Sequence, residues 1–288
     1  MLKQVGHLFH ITERLDTIKD ILRNGFKPSY AIETLAGKKI KVLMVSFSNV
    51  LLRDVGDQEV INYGGYAIGL TREWGIRNKI NPVVYTFDEG LLNGAVNGLI
   101  ESSTFLSALH DLKDKLKEFS DCKCGPASKH IELTNTSKEA IGILDHLSMK
   151  YDEDLVRVIS AHNKNIHETN LTIVSLTKPY KVIGKKGQEF IAYNDREWRK
   201  LYPNPILFDG FDGYNKYTSE NKPHFANDPY LLKFDIQDVS SIMVEKKHDI
   251  AAVKDELYAI HGKKLIKHLI YKGKLVIGKK KRLQKKGF

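Results

Sequence analysis

Three stretches of the sequence interrupt apolar runs with groups able to do chemistry. The first is His10-Ile11-Thr12, closing the apolar opening from Val5 to Thr12. An imidazole there can hydrogen-bond a ribose or phosphate, or serve as a structural histidine. The second is Tyr63-Gly64-Gly65-Tyr66, ahead of Ala67-Ile68-Gly69-Leu70. Paired glycines let a backbone approach a ligand closely and a tyrosine can stack on a heteroaromatic ring, but the same residues also suit a simple hairpin turn. The third is Tyr193-Asn194-Asp195-Arg196-Glu197-Trp198-Arg199. In an extended segment Asp195 and Glu197 share one face, and Arg196 and Trp198 the other. Such a carboxylate pair can supply a general base and a charge that stabilises a cation, or form a surface ion-pair strip.

A fourth cluster, Cys122-x-Cys124 with His130, offers two thiolates and an imidazole. No fourth zinc ligand accompanies them, so no metal site is expected and the two cysteines read as free thiols. GxGxxG, Walker-type GK[ST] and HExxH motifs are missing from the sequence, which disfavours dinucleotide-fold, P-loop and zincin enzymes.

These groups must be positioned by short strands at both ends of the chain and a helical middle. Apolar spacing predicts a helix carrying Leu15, Ile18, Ile21 and Leu22 that stops at Asn24-Gly25. Strands are expected at 40–52, 67–70 and 81–87, the last with Pro82 at its start. Residues 97–119 read as a helix, and Thr136 with Glu139 as a capping box opening another. Residues 170–176 read as a strand, 181–193 as a hairpin turning at 184–187, and 229–244 as strand, turn and strand. Asp249 to Ile260 reads as a helix capped by Gly262, and 265–277 as strand around Lys272-Gly273. The pattern is α+β, with no regular βαβ alternation.

The 288 residues carry a net charge of +10, placed unevenly. Glu256 is the last acid, and eleven of the 45 basic residues follow it, leaving 34 basic against 35 acidic residues in 1–256. Lys279, Lys280, Lys281, Arg282, Lys285 and Lys286 form the densest run. A neutral body with a basic appendage suits contact with a polyanion such as RNA or DNA, or a tail that only keeps the protein soluble. Two cysteines, no signal-like opening and no long apolar run predict a soluble cytoplasmic protein without a membrane partner.

Taken in order, His-Thr, Tyr-Gly-Gly-Tyr and Asp-x-Glu resemble the ADP-ribosyltransferase superfamily, and the opening GHLFHITERLDTIKDILRNGFKPSY looks like its nucleic-acid-modifying members. KVLMVSFSNVLL, YGGYAIGLTREWG, NPVVYTF and NDREWRKLYP together are similar to the AbiGi-type abortive-infection family of phage defence, taken as a divergent branch of that fold. The resemblance implies an α+β fold: an ADP-ribosyltransferase-like split β-sheet core over 1–262, a helical insertion at about 95–165 and a basic extension at 263–288. It implies NAD as substrate. His10 and Thr12 would hold the adenosine-side ribose, Ser46 and Ser48 would line the nicotinamide pocket, and Tyr66 would lie against the nicotinamide ring. Tyr63 or Tyr85 would pack its far side, and Glu197 would stabilise the oxocarbenium ion, with Asp195 beside it orienting the acceptor.

Three functions follow. One is an ADP-ribosyltransferase toxin that modifies nucleic acid, RNA ahead of DNA, and is restrained by an antitoxin protein. The second is a non-catalytic antitoxin component that binds nucleic acid or a toxin. The third is a metal-dependent nuclease using Asp195 and Glu197.

Overall fold

The computed structural model describes residues 7–50, 63–103, 165–183, 187, 189–208 and 230–279, with the backbone alone for 203–208. The chain divides into two compact units, one of residues 1–88 and 175–288, the other of 89–174. In the second unit 91–103 are helical, as are residues from 165 on, and Val96, Ile100, Leu171 and Val174 are buried. The capping box at Thr136, the cluster Cys122, Cys124 and His130, and the tail residues Lys280, Lys281, Arg282, Lys285 and Lys286 lie outside the described residues.

The first unit is built on one eight-stranded mixed sheet. Its strands are β1 (His7–Thr12), β2 (Ser29–Leu35), β3 (Lys38–Ser48), β4 (Tyr66–Thr71), β5 (Asn81–Pro82), β10 (Glu197–Phe208), β11 (Val239–Val244) and β12 (Val276–Lys279). The order is β12-β11-β4-β1-β3-β10-β5, with β2 also paired to β3. Short strands β6 (Val84–Thr86) and β7 (Thr177–Pro179) pair with each other, as do β8 (Lys181–Ile183) and β9 (Glu189–Ile191). The resemblance implied a split pair of sheets; the described residues form this one large sheet and two two-stranded pairs.

Period-two alternation sorts the side chains of the sheet. Leu8, Leu43, Val45, Phe47, Tyr66, Ile68 and Leu70 join the main core. Packed into that core are Ile18, Ile21 and Leu22 of helix α1 (Leu15–Asn24), Trp74 of α2 (Arg72–Arg77), and Val253 and Leu257 of α3 (Asp249–His261). Arg23 and Glu256 tie α1 to α3 through two hydrogen bonds of 2.6 and 2.5 Å. Alternate residues Phe9, Ala67 and Met243 form a smaller cluster with Val50.

Gly64 is where the paired-glycine motif is decided. Its φ is +109°, and a Cβ there would lie 2.3 Å from the Thr12 carbonyl oxygen. The close approach is to the end of β1, so this glycine joins two pieces of the scaffold.

Two expectations are corrected. Residues 170–175 are helical, not strand. Leu171 and Val174 are buried three residues apart, and Thr172 bonds its hydroxyl to the Glu168 carbonyl at 2.9 Å, so helical context overrides a β-branched run. Residues 265–271 belong to helix α4 (Lys263–Tyr271), which buries Ile266 and Leu269 on one face, while only Val276–Lys279 is strand. In 229–244 the second strand is present as β11; the first is reduced to a single bridge between Leu232 and Phe26.

Candidate functional site

A cavity of about 170 Å³ opens on the sheet face opposite the main core. It is lined by Phe9 and Ile11 of β1, Glu33 of β2, Met44, Ser46 and Ser48 of β3, and Tyr63, Lys178, Asp195 and Glu197. The strand order explains the convergence. Long β3 is flanked by β10, with Glu197 opposite Ser48 and Arg199 opposite Ser46, and by β1, with Phe9 opposite Ser48. The 3-10 turn Ala192–Asp195 precedes β10, and Arg196 takes φ +44°, ψ +53° before the strand starts at Glu197. Asp195 therefore reaches the cavity from a turn, not from an extended strand as the sequence suggested.

An ion-pair network runs beneath the cavity. Arg199 is fully buried; its Nε donates to Glu197 Oε1 at 2.8 Å, its Nη1 to the Ser175 carbonyl at 2.6 Å, and its Nη2 to Glu33 Oε1. Lys178 Nζ donates to Glu197 Oε2 at 2.6 Å. Each oxygen of Glu197 is thus held by a different cation. Burial works against its charge, but Arg199 and then Lys178 outweigh burial and hold its pKa down at about 2. Glu33 behaves in the opposite way: burial, reinforced by the nearby charge of Glu197, pushes it above the usual range despite Arg199.

Two tyrosines hydrogen-bond the acidic segment, and Tyr63 also lines the cavity. Tyr63 donates its hydroxyl to Asp195 Oδ2 at 2.7 Å. Tyr85, packed edge-on against Tyr193 at 5.4 Å between ring centres, accepts the Glu197 backbone N–H at 2.8 Å. Burial, then the neighbouring carboxylates, raise the Tyr63 hydroxyl; it is a donor at any ordinary pH.

The residues named from sequence separate into two groups. Asp195, Glu197, Tyr63, Ser46 and Ser48 line the one cavity. His10 and Tyr66 are displaced by strand alternation to the core face. His10 Nδ1 donates to the Ser46 carbonyl at 2.9 Å, its ring lies 5.1 Å from Phe26 and 5.8 Å from Phe47, and burial lowers its pKa. Tyr66 gives its hydroxyl to Asp249 at 2.9 Å. Thr12 pairs with Tyr66 at the end of β1 and does not line the cavity. Lys279 ends β12 as an exposed residue.

Sequence reading missed Glu33, Lys178 and Arg199. Arg199 carried a signal, since two positions beyond Glu197 on a strand returns to the same face. Glu33 carried none, because in 29–35 (SYAIETL) apolar and polar residues do not alternate with a period of two. Among the described residues no group of three His, Cys, Asp or Glu side chains is arranged to hold a metal.

Residues 33–245 match the family model described as "Putative abortive phage resistance protein AbiGi, antitoxin". The chain belongs to the AbiGi family. That match begins at Glu33 and takes in Lys178, Glu197 and Arg199, so the whole ion-pair network lies within the AbiGi region. No curated protein and no solved structure matches the chain. Among the described residues, no helix of this AbiGi protein is long and apolar enough to cross a membrane.

Proposed function

We propose that this AbiGi protein is the antitoxin component of an abortive-infection pair and restrains a toxin by binding it, without chemistry of its own. The observation that carries the reading is the state of Glu197. Its two oxygens are bound by Arg199 and Lys178, and its side chain is 8% exposed. A carboxylate in that position is a structural counter-ion: a substrate hydroxyl would have to displace one of two buried ion pairs to reach it. The antitoxin description of the family supports the same reading. The basic segment from Lys263 onward, with Lys263, Lys264, Lys267, Lys272 and Lys274 all exposed, supplies a surface for a polyanion or an acidic partner.

Co-expression with the toxin partner tests this. Growth should be restored by the chain, and restored as well by Ser46→Ala and Ser48→Ala, which alter the cavity without touching the ion pairs. Failure of the folded, unmodified chain to restore growth contradicts the reading.

A second reading, an NAD-dependent ADP-ribosyltransferase, is favoured by one observation: Asp195, Glu197, Tyr63, Ser46 and Ser48 line a single cavity. Label passing from radiolabelled NAD to RNA, DNA or protein would support it. The cavity volume, well below the roughly 300–1,000 Å³ usual for small-molecule sites, favours a smaller occupant than a dinucleotide.

A further inference from the structure

Helix α4 has two faces of opposite chemistry. Ile266 and Leu269 are buried, and Ile270 packs against the main core. On the other side Lys264, Lys267, His268 and Tyr271 recur at i, i+3, i+4 and i+7, and all four are exposed. Lys272 and Lys274, also exposed, follow in the turn toward β12.

These lysines have no carboxylate to answer them. Elsewhere on the same unit several exposed cations are paired: Arg23 with Glu256, Lys27 with Asp20, Arg77 with Asp238 and Lys181 with Glu189. Among the described residues no ion pair reaches Lys264, Lys267, Lys272 or Lys274. No acid follows Glu256 in the sequence. Like charges gathered on one surface repel, and a strand of phosphates relieves the repulsion while it releases counterions.

Tyr271 decides between polyanions. It is 85% exposed, with the Lys272 ammonium 5.9 Å from its ring centre. A ring held in solvent beside a cation gains nothing from phosphate alone, whereas a nucleotide base can stack on it. Bases in a duplex stack on each other; those of a single strand are open to such a ring. A membrane surface fits less well, because the apolar face that would enter the lipid is buried in the core. An acidic protein also fits less well, since lysine is depleted where proteins pack together. From Lys264 to Tyr271 the helix rises roughly 10 Å, the run of about three nucleotides of one strand.

We propose that the exposed face of α4 binds a short run of single-stranded nucleic acid. Lys264, Lys267, Lys272 and Lys274 meet its phosphates, and the Tyr271 ring stacks on a base. RNA and DNA offer the same two groups. This inference does not rest on the antitoxin reading, which concerns a protein partner.

Fluorescence anisotropy of the purified full chain tests it with labelled oligouridine, labelled oligothymidine and an RNA duplex of the same length. Tyr271→Ala is expected to weaken oligouridine binding at least about fivefold with the salt slope unchanged, and Tyr271→Phe to keep full affinity. Replacing Lys264 and Lys267 together by Ala is expected to weaken it as well, and to make the slope of log affinity against log salt shallower by about 1.4. The stacking effect separates α4 from the basic run at 279–286, which holds no aromatic residue. Urea midpoints check that each variant is folded, and the comparison of single strand with duplex needs no variant. Tighter binding of oligouridine names RNA as the ligand, tighter binding of oligothymidine names DNA, and equal binding names the chemistry they share; each supports the proposal. No binding of either single strand, duplex affinity equal to or above theirs, or full affinity in folded Tyr271→Ala would overturn it. So would binding to phosphatidylserine vesicles that oligouridine does not displace.

Discussion

Arg199 and Glu197 stand two residues apart on β10, and the fully buried guanidinium of one holds the carboxylate of the other at 2.8 Å. The same guanidinium also bonds Glu33 on β2 and the Ser175 carbonyl. Three separate segments of the chain therefore meet at one side chain. Replacing Glu197 by Gln leaves Lys178 without its counter-charge and Arg199 with Glu33 as its remaining carboxylate. We expect this to cost about 3–5 kcal/mol in urea unfolding, the range for breaking a buried pair. A change below about 1 kcal/mol would show that the network does not support the fold.

Arg199→Lys tests the geometry apart from the charge. An ammonium keeps the positive charge but cannot fork toward Glu197, Ser175 and Glu33 together. A loss of about 2–3 kcal/mol is expected by the same measurement, since two strong hydrogen bonds go unmade. Full stability would mean that charge alone matters at this position.

The pH profile of stability follows from the depressed Glu197 pKa. The folded value of about 2 lies below the unfolded glutamate range, so the stabilisation is present above roughly pH 4.3 and is lost as pH falls toward 2. Urea midpoints measured across that window should drop in the unmodified protein, and the drop should be smaller in Glu197→Gln. Raised Glu33 acts with the opposite sign: its contribution is present at low pH and lost as pH rises through its folded pKa. Glu33→Gln is expected to flatten that upper part of the profile.

His10→Phe separates the scaffold from the cavity. The ring contacts with Phe26 and Phe47 survive and the bond to the Ser46 carbonyl is lost, a cost of about 1 kcal/mol. The fall of the urea midpoint between roughly pH 4.3 and 2 should match that of the unmodified protein, because His10 lies on the core face. A smaller fall would tie His10 to the Glu197 network after all.

The basic tail makes a separate, salt-dependent claim. Deleting residues 280–288 removes five cations, Lys280, Lys281, Arg282, Lys285 and Lys286. If the tail contacts single-stranded RNA, the slope of log affinity against log salt should become shallower by about 3. An unchanged slope would assign the tail to solubility.

How much of this was legible in the sequence varies with the kind of signal. The α1 periodicity, the strands at β3 and β4, the 181–191 hairpin and the α3 helix could be read because apolar spacing or turn residues repeat locally. Residues 170–175 and 265–271 misled, because β-branched and apolar runs look alike until burial selects a helical face. The cavity was half legible. Asp195, Glu197, Ser46 and Ser48 sit in motifs, while Glu33 and Lys178 acquire meaning only through pairings 166 and 19 residues along the chain from their partners. Side-chain alternation along β1 and β4, invisible until the strand faces were fixed, sent His10 and Tyr66 to the other side.

The most direct measurement is growth of cells induced to express this chain alone, beside the same chain carrying Glu197→Gln, with released nicotinamide assayed in both. An antitoxin that acts by binding should leave growth unimpaired and release no nicotinamide in either culture. Growth arrest with nicotinamide release, abolished by Glu197→Gln in a protein that still folds, would contradict the account and establish the transferase instead.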